Sequence, residues 1–247
     1  MRNLSIVLVF ALAACKTTQP CDPGDALVNA TLWVQSQAEY RASALQTYAA
    51  AERALDAALV ESSDKPSAII LDLDETALDN SVFAAQQLKK GKTFTFGDEW
   101  SAWVAQSAAA AVPGAAEFLQ YAQRRGVTPF YITNRTHAMQ AATRANLEKL
   151  GFPVGDDTIL TRGDSTDKSA RRDSVAARFR VILLLGDDLN DFAPRATALA
   201  AHPSLWGSRW FLVSNPMYGS WESAAAGSGT PCQQLQRKIG ALRSVQP

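Results

Sequence analysis

Three short apolar runs constrain the fold of this chain more than any other feature of its sequence. They occupy residues 68–71, 127–132 and 181–185. The segments between them carry the apolar spacing of amphipathic helices, which repeats about every 3.6 residues. Short strands that alternate with helices in this way are typical of an α/β fold built on a parallel sheet. We therefore predict a parallel sheet flanked by helices, with a further strand at residues 210–213.

Two further regions complete the predicted architecture. Residues 25–60 repeat apolar side chains at helical spacing, so we expect an N-terminal helix there. Residues 79–112 are long enough to form a small, mainly helical cap over one edge of the sheet. A single domain covering residues 25–247 is expected. Individual helices are predicted at residues 77–90, 98–108, 113–125, 136–149, 168–178 and 189–200.

The amino terminus has the composition of an export signal. Arg2 precedes a short apolar run that ends at Cys15, so we interpret residues 1–14 as a signal peptide. The tetrapeptide Leu12-Ala13-Ala14-Cys15 resembles the lipobox of bacterial lipoproteins, in which the cysteine is lipidated; an ordinary secretory signal is the alternative. Residues 15–24 would then be a lipidated tether. The resemblance implies export and attachment to a membrane of the cell envelope, the outer membrane in a Gram-negative source.

The balance of charged and metal-binding residues limits the classes of partner. The chain has 24 basic residues (lysine and arginine) and 24 acidic residues (aspartate and glutamate). Its net charge is therefore close to zero, and no overall electrostatic field attracts a nucleic acid polymer. The 2 histidines are too few for a zinc cluster. Cys21 and Cys232 would reach an oxidising compartment after export, where they either pair or remain free. The sequence leaves open whether the protein forms a homodimer.

Polar side chains follow each of the three apolar runs. Asp72 and Asp74 come after the first run, Thr133 after the second and Asp187 after the third. Because the carboxyl ends of parallel strands meet at one edge, we expect these side chains to converge in a crevice there. Two carboxylates at the end of a buried strand are unfavourable unless a cation or a reaction requires them, although aspartates can also cap the following helix. The pattern favours a ligand site at this edge of the sheet.

Four segments resemble the motifs of a known superfamily. The run Asp72-Leu73-Asp74-Glu75-Thr76 resembles the first motif of the haloacid dehalogenase superfamily. Thr133, Lys168 and residues 186–191 resemble its second, third and fourth motifs, in the order that the superfamily requires. This resemblance implies a haloacid dehalogenase-like Rossmannoid sheet with a small cap.

A narrower resemblance concerns the first and fourth motifs. Residues 70–80 and 184–192 resemble the paired signatures of class C acid phosphatases, and the resemblance extends over about residues 28–224. It implies a Mg²⁺-dependent acid phosphatase that hydrolyses small phosphomonoesters. The chain departs from the family pattern at Ala77, Phe83 and Asp188.

The resemblance also implies a role for each motif residue. Asp72 is expected to be the nucleophile that forms an aspartyl-phosphate, and Asp74 the general acid and base. Mg²⁺, which prefers oxygen ligands, is expected to bind Asp72, the backbone carbonyl of Asp74, and Asp187. Thr133 and Lys168 are expected to bind the oxygens of the transferred phosphoryl group.

The fourth motif holds two more acidic residues. Asp191 is expected to orient the metal shell or Lys168 rather than to ligate the ion directly. Asp188 is expected to act either as a ligand or in that outer shell. It stands where the family has asparagine or threonine, so it adds a charge that is expected to change the affinity for metal. Ala77 and Phe83 are expected to alter packing near the site.

Four further residues are candidates for binding the substrate. Trp100 and Tyr218 fall in the predicted cap and in a late loop, where their rings are expected to stack on a planar group. Asn134 and Arg135 are expected to assist phosphate binding, and the alternative for Arg135 is a solvated loop arginine. The family resemblance implies nucleoside 5′-monophosphates as substrates. A phosphotransferase on the same fold, and a lipid-anchored binding or adhesion protein without turnover, are the alternative functions.

Overall fold

The computed structural model describes residues 21–243, and these residues are built around a central five-stranded sheet. The strands are β1 (Ser67–Leu71), β2 (Leu78–Asp79), β3 (Ala110–Ala111), β4 (Thr128–Thr136), β5 (Ile159–Arg162), β6 (Arg180–Gly186) and β7 (Trp210–Leu212). The α-helices are α1 (Asp25–Ser36), α2 (Ala38–Leu59), α3 (Ser81–Lys89), α4 (Asp98–Ala105), α5 (Ala115–Arg124), α6 (Gln140–Lys149), α7 (Ser169–Arg178), α8 (Arg195–Ala201), α9 (Ser220–Ala226) and α10 (Pro231–Gly240). The predicted signal peptide, residues 1–14, and Cys15 lie outside the described residues. None of the helices within 21–243 has the length and apolar character needed to span a bilayer.

The large sheet has the strand order β5-β4-β1-β6-β7, and its neighbouring strands are parallel. In the central strand, Ile70 is level with Phe130 of β4 on one side and with Leu184 of β6 on the other. Since β1 lies between β4 and β6, the residues that follow these three strands meet at one edge. The predicted α/β class, with a parallel sheet flanked by helices, is confirmed.

Burial on both faces holds β1 in a fixed position. Successive side chains of a strand point to opposite faces. Ile69 belongs to the larger core, together with Leu55 of α2 and Phe118 of α5. Ile70 belongs to a smaller core on the other face, together with Val175 of α7. Each apolar side chain buried in this way contributes about 1.5–3 kcal/mol to folding, so the end of β1 is a rigid support for the residues that follow.

The segment predicted as a cap, residues 79–112, contains α3, α4 and β3. β2 and β3 form a separate antiparallel ribbon in which Leu78 is level with Ala111. The polypeptide therefore leaves the large sheet after β1, forms two short helices, and returns along the ribbon before α5 begins.

Several elements differ from the sequence prediction, in which β2, β3, α9 and α10 have no counterpart. The single helix expected at residues 25–60 is two helices, because Gln37 adopts an extended backbone with φ −93° and ψ 135°. The helix expected at residues 189–200 begins as a 3₁₀ turn at Leu189–Asp191, and α8 follows only after the extended Pro194. β5 was not predicted, because only its first residue is buried at this edge of the sheet and no apolar run marks it.

A disulfide joins Cys21 to Cys232 in the first turn of α10, and their Cα atoms are 5.9 Å apart. Of the two outcomes that the sequence left open, the structure therefore shows the paired one. The bond closes a loop with a sequence separation of 211 residues. A cross-link over a loop of this length stabilises a folded chain by up to about 5 kcal/mol.

Candidate active site

Three carboxylates lie together where β1 and β6 end. Asp72 directly follows β1, Asp187 directly follows β6, and Asp191 lies in the 3₁₀ turn that comes next. One oxygen of each lies within 4.8 Å of the corresponding oxygens of the other two. The structure thus brings together residues that are more than a hundred positions apart in the sequence, as the convergence of parallel strands predicts.

A buried lysine joins two of these carboxylates. Nζ of Lys168, the residue before α7, lies 2.5 Å from Oδ1 of Asp72 and 2.6 Å from Oδ1 of Asp191. Burial alone would lower the pKa of Lys168, but the charges and hydrogen bonds of Asp191 and Asp72 outweigh it and raise the pKa above its ordinary value. Lys168 is therefore a permanent cation here. We call Asp72, Asp187, Asp191 and Lys168 the carboxylate centre.

The charges of the carboxylate centre do not balance, because three carboxylates face one ammonium group. Burial raises the pKa of Asp72 to about 7; Lys168 opposes this shift, and the charges of Asp191 and Asp74 add to it. Burial also raises the pKa of Asp187 well above its ordinary value, with further contributions from Asp191 and Asp72. A divalent cation would supply the missing positive charge, and clustered carboxylate oxygens are the donors that Mg²⁺ prefers. The residues present therefore fit such an ion.

Asp187 is held by residues to which the sequence analysis gave no role. Its Oδ1 accepts a hydrogen bond from Oγ1 of Thr76 at 3.0 Å, and its Oδ2 accepts one from Nδ2 of Asn215 at 2.8 Å. The hydroxyl of Tyr48 in α2 donates to the carbonyl of Thr76 at 2.7 Å and so supports the loop that carries it. Helix α2 and the loop after β7 both help to orient this carboxylate.

The carboxylate of Asp74 lies outside the carboxylate centre. Its Oδ1 accepts hydrogen bonds from Nη2 of Arg135 at 2.7 Å and from Nδ2 of Asn80 at 3.0 Å. Asn80 is itself held by Nε1 of Trp103, which donates to its Oδ1 at 2.8 Å. A metal contact from Asp74 would therefore involve its backbone carbonyl, as the sequence analysis expects.

The second motif continues as a strand rather than as a loop, and this corrects the expectation for Arg135. Because β4 extends to Thr136, alternate side chains point inwards: Thr133 and Arg135 are buried and Asn134 is exposed. Oγ1 of Thr133 accepts the backbone N–H of Arg135 at 3.0 Å. Asn134 accepts a hydrogen bond from Nη2 of Arg171 at 2.9 Å. Arg135 is not a solvated loop residue, and its guanidinium binds Asp74 instead of standing free for phosphate.

Asp188 anchors the late loop. Its carboxylate accepts hydrogen bonds from the backbone N–H and the hydroxyl of Ser220, at 2.6 and 2.7 Å, and from the backbone N–H of Asn190 at 3.0 Å. Burial alone would raise its pKa, but the hydrogen bonds from Ser220 and Asn190 lower the pKa below its ordinary value. Asp188 is also not among the clustered carboxylates. Its additional charge is thus stabilised by hydrogen bonds from the start of α9, and its position does not support the role of a metal ligand.

A cluster of aromatic rings lies beside the site. We call it the aromatic patch; its members are Phe83, Phe94, Phe96, Trp100 and Tyr218. Tyr218 stacks on Phe94 with ring centroids 4.0 Å apart, and Phe96 meets Tyr218 edge-on at 5.6 Å. The guanidinium of Arg135 lies 5.5 Å from the centroid of Trp100, so the patch adjoins the polar site.

Within the aromatic patch, the exposure of the rings differs from the sequence prediction, which named Trp100 and Tyr218. Trp100 is only 3% exposed, because Phe83, Phe94 and Phe96 pack around its ring. Trp100 therefore presents little free ring surface to a ligand, and its stacking on substrate stays a prediction. Phe96, which the sequence analysis missed, is 65% exposed. Its alternation with Phe94 just before α4 was the available signal.

Comparison with known proteins agrees with this geometry. Residues 13–221 match the family described as HAD superfamily, subfamily IIIB (acid phosphatase). The class C acid phosphatase from Bacillus anthracis has a similar structure, with a TM-score of 0.86 and 33% identity over 92% of this chain and 100% of that chain. The same enzyme with tungstate bound gives a TM-score of 0.84 and 32% identity over 90% of this chain and 99% of that one.

A more distant relative comes from a plant. Acid phosphatase 1 of Solanum lycopersicum is 27% identical over 156 residues, which are 60% of this chain and 57% of that protein. The chain therefore spans little more than half the length of this curated relative. The family match, in contrast, includes all four motifs and every member of the carboxylate centre. This chain belongs to the subfamily IIIB acid phosphatases of the HAD superfamily.

Proposed function

We propose that this protein hydrolyses nucleoside 5′-monophosphates with the help of Mg²⁺, through a phosphorylated Asp72. The observation that carries the proposal is the carboxylate centre, in which a strand end holds Asp72 between a lysine and two further carboxylates. Membership of an acid phosphatase family supports the reaction class.

Asp72, Asp187 and the backbone carbonyl of Asp74 would hold the ion. Bound there, Mg²⁺ would neutralise charge between the enzyme and the phosphate dianion. The oxygen donors and the excess negative charge described above support this choice. The carboxylate of Asp191 accepts hydrogen bonds from Lys168 and from the backbone N–H of Asp188. Asp191 would therefore orient the carboxylate centre.

The chain's own residues divide the reaction into two steps. A carboxylate oxygen of Asp72 attacks phosphorus while the ester P–O bond breaks and Asp74 gives a proton to the leaving oxygen. Water then attacks the phosphorus of the aspartyl-phosphate while Asp74 takes a proton from it, and the carboxylate of Asp72 is restored. Lys168 and the hydroxyl of Thr133 would stabilise the charge on the transferred oxygens.

Two observations support a phosphate ester with a planar group as the substrate. The Bacillus anthracis relative was solved with tungstate, which is a tetrahedral oxyanion like phosphate. We propose that phosphate occupies the equivalent place here. Phe96 and Tyr218 would then offer aromatic surface to a nucleobase, since Phe96 is exposed and lies edge-on to Tyr218.

The experiment that tests the proposal measures phosphate release from mononucleotides, sugar phosphates and 4-nitrophenyl phosphate before and after chelation. We expect exhaustive removal of metal to abolish turnover and Mg²⁺ to restore it, with nucleoside 5′-monophosphates as the preferred substrates. Phosphoenzyme trapped by rapid acid quench should carry phosphate on Asp72 in peptide mass analysis. Full activity without metal, or phosphate trapped on another residue, would contradict the proposal.

A further inference from the structure

The guanidinium of Arg135 is fully engaged inside the protein. Its side chain is 1% exposed and forms an ion pair with Asp74, with Nη2 2.7 Å and Nε 3.1 Å from Oδ1. Nη1 donates to Oγ1 of Thr143 in α6 at 3.1 Å, and the ring of Trp100 covers the guanidinium. A buried arginine with this many partners has one orientation, and it transmits that orientation to whatever it binds.

The two oxygens of Asp74 are in different surroundings. Oδ1 accepts three N–H groups, two from Arg135 and one from Asn80 at 3.0 Å. Among the residues that the structure describes, Oδ2 has only the longer contact with Nε of Arg135, at 3.3 Å. An oxygen that accepts three N–H groups has no room for a proton of its own. Of the two oxygens, Oδ2 is therefore the one with room for a further contact.

We propose that Arg135 is a positioning residue which, together with Asn80, fixes the carboxyl of Asp74 so that Oδ2 is the oxygen that exchanges protons with substrate and water. The inference rests on the proposed function. In the first step the proton on Oδ2 moves to the leaving oxygen as the ester bond breaks. In the second step Oδ2 takes a proton from the attacking water, whose oxygen forms the new bond to phosphorus.

This role differs from the phosphate-binding role that the sequence suggested for Arg135. A residue that binds phosphate affects every phosphate ester alike, because the phosphoryl group is common to all of them. A residue that positions the proton donor affects substrates according to the proton demand of the leaving group. The leaving group of 4-nitrophenyl phosphate departs without a proton, whereas that of glycerol phosphate requires one.

The test compares the two substrates in Arg135→Lys, which keeps the charge but loses the planar set of donors. In rapid-quench experiments, phosphorylation of Asp72 by glycerol phosphate should slow by about 10²–10⁴-fold, the usual contribution of general acid–base catalysis. Phosphorylation by 4-nitrophenyl phosphate should change far less. Because the second step also needs Asp74, nitrophenol should appear in a burst while phosphorylated enzyme accumulates.

Two further variants distinguish loss of the positioning role from a folding defect. Thr143→Val keeps Arg135 and removes only the hydroxyl that holds Nη1, so it should reproduce the same split between substrates to a smaller degree. Arg171→Lys is the matched control, because Arg171 binds the carbonyl of Thr133 and the side chain of Asn134 without touching Asp74. Arg171→Lys should affect both substrates by the same factor. Thermal melts of all three variants report whether the fold is retained.

The outcomes separate the positioning role of Arg135 from the proposed phosphatase function. Equal losses on both substrates in Arg135→Lys, or a raised KM for both, would overturn the positioning role while leaving the phosphatase proposal intact. The wild-type enzyme releasing phosphate from neither substrate would instead overturn the proposed function. A split between substrates with the KM for 4-nitrophenyl phosphate retained supports the role assigned to Arg135.

Discussion

The carboxylate centre and the aromatic patch adjoin each other, but different forces fix their positions. In the carboxylate centre, Asp72 and Asp187 each follow a strand of one sheet, and the ladder between β1 and β6 sets their spacing. In the aromatic patch, rings such as Phe94 and Tyr218 come from separate loops and meet only through side-chain packing. Backbone pairing tolerates little adjustment, whereas packing between side chains allows more. The comparison teaches that strand pairing fixes the carboxylates of the proposed chemistry, whereas the proposed selection of substrate depends on rings held by side-chain packing.

The most severe test of this division removes the proposed nucleophile. Asp72→Asn should reduce kcat by on the order of 10⁴-fold or more for every substrate, since Asp72 is the residue proposed to form the bond to phosphorus. Steady-state assays with a mononucleotide and with 4-nitrophenyl phosphate measure the effect. Asp188→Asn provides a comparison, because Asp188 binds Ser220 rather than the carboxylate centre. If Asp72→Asn lost activity on nucleotides alone, the proposed separation of chemistry from selection would fail.

A smaller effect is expected at the edge of the aromatic patch. Phe96→Ala should lower kcat/KM for nucleoside 5′-monophosphates by about 5- to 150-fold, because a stacked base contributes about 1–3 kcal/mol. The rate with glycerol phosphate should stay near that of the wild type, since this substrate has no ring. Val82→Ala is a matched control, because Val82 is an exposed apolar residue of α3 outside the patch. Equal losses on both substrates would show that the patch supports the fold rather than selecting the base.

The smallest expected effect is a pH dependence of the melting temperature, and it arises from the carboxylate centre and not from the aromatic patch. The pKa of Asp72 in the folded protein is about 7, above its ordinary value of 3.8. Between these values the folded protein binds more protons than the unfolded chain, so this contribution is present at low pH and lost as pH rises through about 7. The melting temperature of the metal-free protein should therefore fall by a few degrees from about pH 5 to about pH 8.

Calorimetry with and without Mg²⁺ checks this prediction. Since the ion favours ionised carboxylates, Mg²⁺ should raise the melting temperature more at the higher pH. Asp187→Asn should flatten the pH dependence, and Phe96→Ala should leave it unchanged because Phe96 carries no charge. A metal-free protein that becomes more stable as pH rises through this interval would contradict the charge imbalance described here.

The sequence predicted those parts of the site that depend on strand order. Asp72 and Asp187 were placed correctly beside each other because each follows an apolar run, and runs of this kind in an α/β chain end at one edge of a parallel sheet. Lys168 and Asp191 were placed with them by resemblance to the superfamily motifs. The sheet and most helices followed from apolar periodicity, whereas β5 lies at the sheet edge and lacks that signal.

Side-chain partners were harder to predict, because they depend on tertiary packing. For Arg135 the sequence suggests phosphate binding or a solvated loop, but β4 continues to Thr136 and points Arg135 inwards to Asp74. The sequence analysis links Asp188 to metal affinity, but its carboxylate instead accepts a hydrogen bond from Ser220, the first residue of α9. Trp100 and Phe96 lie four residues apart, yet one is enclosed and the other exposed. The alternation of Phe94 and Phe96 indicates only that the two rings point in a similar direction, and their exposure depends on the packing around them.

The disulfide between Cys21 and Cys232 has a consequence for the order of the chain. Because it holds Cys21, the first described residue, and Cys232 in α10 with Cα atoms 5.9 Å apart, a short peptide could join these two positions in place of the sulfur bridge. Residues 62–64 are exposed and precede β1, at the opposite end of that strand from Asp72. A circular permutant with its new termini at residues 62–64 would have its helices and strands in a new order along the chain and would form the same sheet. The linear order of the elements is thus separable from the spatial arrangement that performs the chemistry.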